Sequence, residues 1–129
     1  MSAPDAATLP LRREAGPRYS ESVSWSGPTV YLSGQVPETS GAGSGAAAQT
    51  REVLALIDAR LAAAGSDKAH LLSATIYMVD LKRDYAEMNE AWDAWVPQGA
   101  APARTTVGVA ALAREEWALE ITVVAAVRR

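Results

Sequence analysis

Trp117-Ala118-Leu119-Glu120-Ile121-Thr122-Val123-Val124-Ala125-Ala126-Val127 reads as a strand, and its alternation decides the fold. Leu119, Ile121 and Val123 fall on one side; Ala118, Glu120, Thr122 and Val124 fall on the other. Successive side chains of a strand point to opposite faces, so the first set enters a core and the second forms a small, semi-polar surface. The run before it, Pro102-Ala103-Arg104-Thr105-Thr106-Val107-Gly108-Val109, carries a lone guanidinium at its head, with Thr105, Val107 and Val109 opposing Arg104, Thr106 and Gly108. An unpaired charge is costly to desolvate, so Arg104 and Glu120 each need a partner or a task. A guanidinium fork can grip a carboxylate through two parallel hydrogen bonds. One reading is a small-acid site on a sheet, with Glu120 nearby for proton chemistry. The plainer alternative is a solvated strand-end Arg and a Glu paired with a surface cation.

Working outward, a turn centred near Ala113–Glu115 would join these runs as a hairpin, with Glu120 opposite about Gly108. Arg104 then lies roughly four residues further along, about 13 Å at ~3.3 Å per residue. A shared site would need a neighbouring subunit or a bound ligand to bridge that gap. Upstream, Leu71–Val79 is apolar on both faces and reads as a central strand. Asp84 followed by Glu87 resembles a capping box opening a helix from Tyr85 to about Val96, with Met88, Trp92 and Trp95 on its core face. Asn89 lies on an adjacent row with Tyr85 and Asp93, by default a surface amide. Ala46–Ala64 is the longest helix candidate: Val53, Leu54, Ile57 and Leu61 form its stripe, and Gly65 stops it. Ser22–Trp25 and Thr29–Ser33 flank the turn Ser26-Gly27-Pro28 and read as an N-terminal hairpin. Thr39–Gly45 holds three glycines and reads as a loop without the Lys-Ser/Thr ending of a phosphate cradle. Residues 1–17 read as a loose segment.

The resulting order is ββαβαββ, an α+β layer with a mostly antiparallel sheet and both helices on one face. At 129 residues the chain fits a single domain, residues 1–129, with no second layer for the other face. Covering that face with copies of itself predicts a homo-oligomer.

Composition narrows the chemistry. The net charge of −3 with mixed signs argues against a nucleic-acid footprint, and Arg12-Arg13 and Arg128-Arg129 read as solvated pairs. Without cysteine there is no disulfide, thiolate nucleophile or thiolate metal site. The one histidine, His70, lacks companions at ligand spacing and reads as a surface or loop residue, so no metal site is expected. No signal h-region or membrane-length apolar run is present, which makes a cytoplasmic protein without membrane contact the expectation.

Four motifs in order, Tyr31-Leu32-Ser33-Gly34-Gln35-Val36-Pro37, Gly65-Ser66, Met88-Asn89-Glu90-Ala91-Trp92-Asp93-Ala94-Trp95-Val96 and Ala101-Pro102-Ala103-Arg104-Thr105-Thr106, resemble the RidA/YjgF/UK114 family, and within it the YoaB-like branch. The resemblance spans about Tyr19 to Val127. It implies a chorismate-mutase-like fold and a homotrimer whose sheets line a central barrel, with sites at subunit interfaces. It further implies hydrolysis of reactive 2-imino or enamine acids to 2-keto acids and ammonia, without cofactor or metal. Under it, Arg104 matches the carboxylate clamp, Gly34 adds a backbone N–H beside Ser33, and Glu120 matches the acid that positions water and moves its proton. Tyr19 and Asn89 match pocket residues. Thr106 stands where RidA has cysteine; the family's water contact there is the main-chain carbonyl, which Thr also supplies. Leu112-Ala113 replaces the familiar Leu-Pro. A non-catalytic binder or sensor of small 2-keto acids would use the same clamp. Ribonuclease activity, attributed to some relatives, has no basic groove, stacking stripe or histidine pair to support it here.

Overall fold

The computed structural model describes residues 9–39 and 44–128. Residues 40–43 of the glycine-rich loop and 1–8 of the N-terminal segment lie outside the described residues. Six strands and two helices follow in the order β1 (Leu11–Ala15), β2 (Ser20–Ser24), β3 (Thr29–Tyr31), α1 (Ala46–Ala63), β4 (Leu71–Met78), α2 (Leu81–Trp95), β5 (Ala103–Gly108) and β6 (Leu119–Ala126). The fold is α+β as expected, with one strand more at the N-terminus. Residues 11–15, expected to be loose, pair with β2 instead.

The main sheet has the order β3-β6-β4-β5, with β6 antiparallel to both β3 and β4, and β4 parallel to β5. This overturns both expected hairpins. β2 pairs with β1 rather than β3, and β5 pairs with β4 rather than β6. A strand–helix–strand segment returns to its sheet by a right-handed crossover, which makes its strands parallel. The crossovers through α1 and α2 step in the same direction along the sheet, so both helices land on one face. The connection from β5 is long enough for β6 to insert between β3 and β4. There it has a hydrogen-bonding partner on each side.

The core lies between that face and the helices. Val53, Leu54, Ile57, Leu61, Met88 and Trp92 meet Ile76, Met78, Leu119, Ile121 and Val123, all essentially inaccessible to solvent. α1 ends as expected: Gly65 has φ +78°, the Ser66 N–H bonds Leu61 O at 2.9 Å and the Gly65 N–H bonds Ala62 O at 3.2 Å. This Schellman closure needs a residue that tolerates positive φ. The expected capping box of α2 is one turn too late. Asp80 caps the helix by accepting the Arg83 N–H at 3.1 Å, whereas Asp84 is buried and held bidentately by the Arg83 side chain.

Arg12 is not solvated. Its Nη1 donates to Leu71 O (2.8 Å) and Ala101 O (3.0 Å), and its Nη2 donates to Ala69 O (2.9 Å). Ser20 adds an Oγ bond to Ala101 O at 2.6 Å and an N–H bond to Pro102 O at 2.9 Å. The β1–β2 hairpin is thereby fastened to the segment that leads into Arg104. His70 sits half-buried in a short 3-10 turn with Nδ1 2.7 Å from Asp67 Oδ1.

Candidate functional site

β5 is the sheet edge, and its parallel register puts Arg104 beside Ala74 and Thr106 beside Ile76, on the helix-covered face. Along α2, Tyr85, Asn89 and Trp92 recur at helical spacing and turn toward this edge. Asn89 is 2% exposed rather than a surface amide, and its Oδ1 accepts a 2.8 Å bond from Arg104 Nη1. The guanidinium carbon lies 5.3 Å from the Trp92 ring centroid, a cation–π contact on a fully buried platform. Burial pulls Arg104 below the ordinary guanidinium range and nearby Arg18 adds to this, while Tyr85 and Asp93 work against it. The direct partners of Arg104 among the described residues, Asn89 and Trp92, are neutral, and such a partly desolvated cation gains more from an arriving anion than a solvated one does. Arg18 is engaged elsewhere, its Nε donating to both Asp93 oxygens at 2.8 and 3.0 Å. Its carbonyl accepts from Trp92 Nε1 at 2.9 Å, which brings the hairpin residue Tyr19, half-exposed, to the rim of this cluster. The Thr106 hydroxyl is buried and, among the described residues, has no hydrogen-bond partner.

Glu120 belongs to a second cluster. It stands beside Tyr77 of β4, on the open face of the sheet. Leu32 N–H bonds Val123 O and Gln35 pairs with Ile121, so Ser33 and Gly34 together oppose Thr122. That two-against-one register is a β-bulge, a device that re-aims strand residues at functional sites. The Glu120 side chain folds directly over the bulge: a Cβ built on Gly34 would overlap the carboxylate, with Glu120 Cδ 2.7 Å away. Glycine at this position is what lets the carboxylate rest on the backbone.

The two clusters do not meet within one chain. Arg104 is level with Ala74 and Glu120 with Tyr77, three residues apart along β4, with β4 itself lying between β5 and β6. At ~3.3 Å per residue and ~4.8 Å per strand spacing, they are about 14 Å apart. They also project from opposite faces. The structure thus joins Arg104 with Asn89, and Glu120 with Gly34 and Ser33, and keeps the two sets apart. The open face carries Tyr31 (75% exposed), Thr105 and Val107 beside Thr75, Tyr77, Glu120, Thr122 and Val124, with α1 and α2 both on the other side of the sheet. Sequence reasoning missed Trp92 as a platform, Tyr85 as a neighbour of Arg104, and Arg12 as a fastener. The first two were legible as helical spacing once β5 was known to lie under α2. Nothing in the sequence distinguishes Arg12 from Arg13.

Comparison with known proteins covers most of the chain. Residues 11–127 match the family profile described as Endoribonuclease L-PSP. The RutC family protein YoaB of Escherichia coli is 46% identical over 117 residues, 91% of this chain and 97% of its own length. A RutC family protein of Haemophilus influenzae is 47% identical over 96 residues, covering 74% of this chain and 80% of its own. Among solved structures, a YjgF-family protein from Neisseria meningitidis superposes with a TM-score of 0.74 at 50% identity, covering 95% of this chain and 98% of its own. RidA from an Antarctic Psychrobacter gives a TM-score of 0.70 at 32% identity, covering 95% and 97%.

Proposed function

The chain belongs to the RidA/YjgF/RutC family, and from that premise we propose that it hydrolyses reactive 2-imino acids, and their enamine tautomers, to 2-keto acids and ammonia. One observation carries the reading: Arg104 is set in advance against Asn89 and Trp92, partly desolvated and, among the described residues, without a carboxylate in direct contact. Such a guanidinium binds a small carboxylate without first having to be ordered. An imine carbon is already electrophilic, so the chemistry needs a held carboxylate, a held water and a group that moves protons. Water adds to the C=N carbon as Glu120 takes its proton and passes it to the imine nitrogen. The carbinolamine C–N bond then breaks as Glu120 relays the hydroxyl proton to nitrogen, releasing ammonia, leaving the C=O group and restoring the Glu120 carboxylate. A general acid–base group contributes about 10²–10⁴-fold to such a step. Tyr19, Ser33 and the Gly34 N–H line the pocket in this reading, and the Thr106 carbonyl orients the water.

Because Glu120 and Arg104 lie on opposite faces of one chain, the reading assembles them from two copies. Three copies, each covering its open face with a neighbour's, form a homotrimer that brings Glu120 of one subunit to Arg104 of the next. No helix among the described residues is long and apolar enough to cross a membrane, and the proposed setting is the cytoplasm.

The separation also favours a second reading. The carboxylate clamp is complete without Glu120, so the chain can bind a 2-keto acid without turning anything over. A competition assay decides. An amino-acid oxidase generates imino acids in the presence of semicarbazide, and the protein competes with the trap. Suppressed semicarbazone formation, lost in Arg104→Ala and slowed in Glu120→Gln, supports the deaminase. No suppression for alanine-, leucine- or aromatic-derived imines, with 2-keto acids still bound, leaves the binder.

A further inference from the structure

Of the three α2 residues gathered around Arg104, two are sealed from solvent and one is not. Asn89 is 2% and Trp92 0% exposed, whereas Tyr85 is 41% exposed. The sealed pair accounts for one nitrogen and one face of the guanidinium. Tyr85 lies next along the same helical row and is close enough for its hydroxyl to act on the charge of the guanidinium. It stands one helical turn before Asn89, on the side open to water. A guanidinium has no acceptor site, so it cannot take the phenol proton, and that proton is left for another partner. A carboxylate set on Arg104 supplies that partner, because its oxygens have about four lone-pair sites and a bidentate Arg uses two.

We infer that Tyr85 is a ligand-binding residue whose hydroxyl donates a hydrogen bond to the carboxylate held by Arg104. This rests on the reading of Arg104 as a carboxylate clamp. It gives the site a two-point anchor for the acid group, cation and phenol, built from adjacent elements of the same subunit. The anchor is sensitive to the geometry of the acid group and indifferent to the rest of the ligand. The site would therefore admit 2-keto and 2-imino acids of differing side chain while discriminating against the corresponding amides and esters.

Calorimetric titration with 2-oxobutanoate tests this on the intact chain, its Tyr85→Phe variant and Arg104→Ala. The expected result is binding by the parent, binding weakened about tenfold in Tyr85→Phe, as for a hydrogen bond to a charged group, and binding lost in Arg104→Ala. The thermal midpoint of Tyr85→Phe should match the parent, since the ring is kept and only an exposed hydroxyl is removed. Equal affinity of the parent and Tyr85→Phe overturns the inference and leaves the clamp standing. A weakened affinity accompanied by a lowered midpoint also overturns it, by showing a structural role. A parent chain that binds no 2-oxobutanoate removes the acid-site reading, and the Tyr85 anchor with it.

Discussion

Replacing Gly34 with alanine should silence the proton chemistry while leaving the fold intact. The added Cβ would overlap the Glu120 carboxylate, with Cδ 2.7 Å and Cγ 3.0 Å away, so the side chain must swing off the bulge. The obstacle is the end of a flexible, partly buried side chain rather than backbone. Moving it costs about 0.5–1.5 kcal/mol in rotamer strain. Gly34 does not have the positive φ found at Gly27, Gly65 and Gly99. Alanine is therefore compatible with the backbone and recovers about 0.4–1 kcal/mol by restricting the unfolded chain. The net change is under about 1 kcal/mol, or within about 5 °C of the parent midpoint for a domain of this size. Turnover is another matter. With Glu120 displaced, the ~10²–10⁴-fold contribution of general acid–base assistance is lost. Imine competition with semicarbazide should drop by at least about 100-fold, while 2-oxobutanoate still binds through Arg104. Two results would refute the reasoning: competition within about threefold of the parent, or a collapse of the thermal midpoint by more than about 10 °C.

Asn89→Ala removes the buried acceptor of Arg104 Nη1. It should weaken 2-oxobutanoate binding by about tenfold through loss of the preset geometry and lower stability by about 1–3 kcal/mol in a urea titration. Arg12→Ala abandons three backbone carbonyls around Leu71 and Ala101. It should destabilise the chain by about 2–3 kcal/mol, and faster amide exchange in residues 11–24 would show that the hairpin is what loosens. At Asp67, burial raises the carboxyl, but the hydrogen bond and charge of His70, the Ala69 N–H and Arg128 together hold it below the usual carboxylate range. A depressed folded value gives stability that is full above about pH 4, the unfolded value, and lost as pH falls through the lower folded value. Asp67→Asn should therefore flatten the acid limb of the stability curve below about pH 4 and shift the rest by a constant; an unchanged acid limb would rule out this contribution.

How much was legible follows the range of each interaction. The 3.6-residue stripe of α1, the stop at Gly65 and the alternation in β6 were all readable, because they are imposed by backbone geometry over a few neighbours. The start of α2 was placed a turn late because Asp80 and Asp84 are equally good caps in sequence. Only the burial of Asp84 under Arg83 separates their roles. Arg104 and Glu120 were visible as charges out of place in apolar runs, and their separation in one chain was anticipated, although from a hairpin that does not exist.

Sequence by itself determined both helices, five of the six strands, the core stripes of α1 and β6 and the two charges with chemical potential, since each is a local consequence of side-chain type and period. Tertiary structure decided which strands pair, which face Arg104 occupies and what surrounds it. Strand edges offer the same backbone donors and acceptors to any partner, so pairing is chosen by crossover handedness and by how both helices can cover one face. The same long-range choice put Arg104 over Trp92 and beside Asn89 and Tyr85, and left Glu120 on the far face.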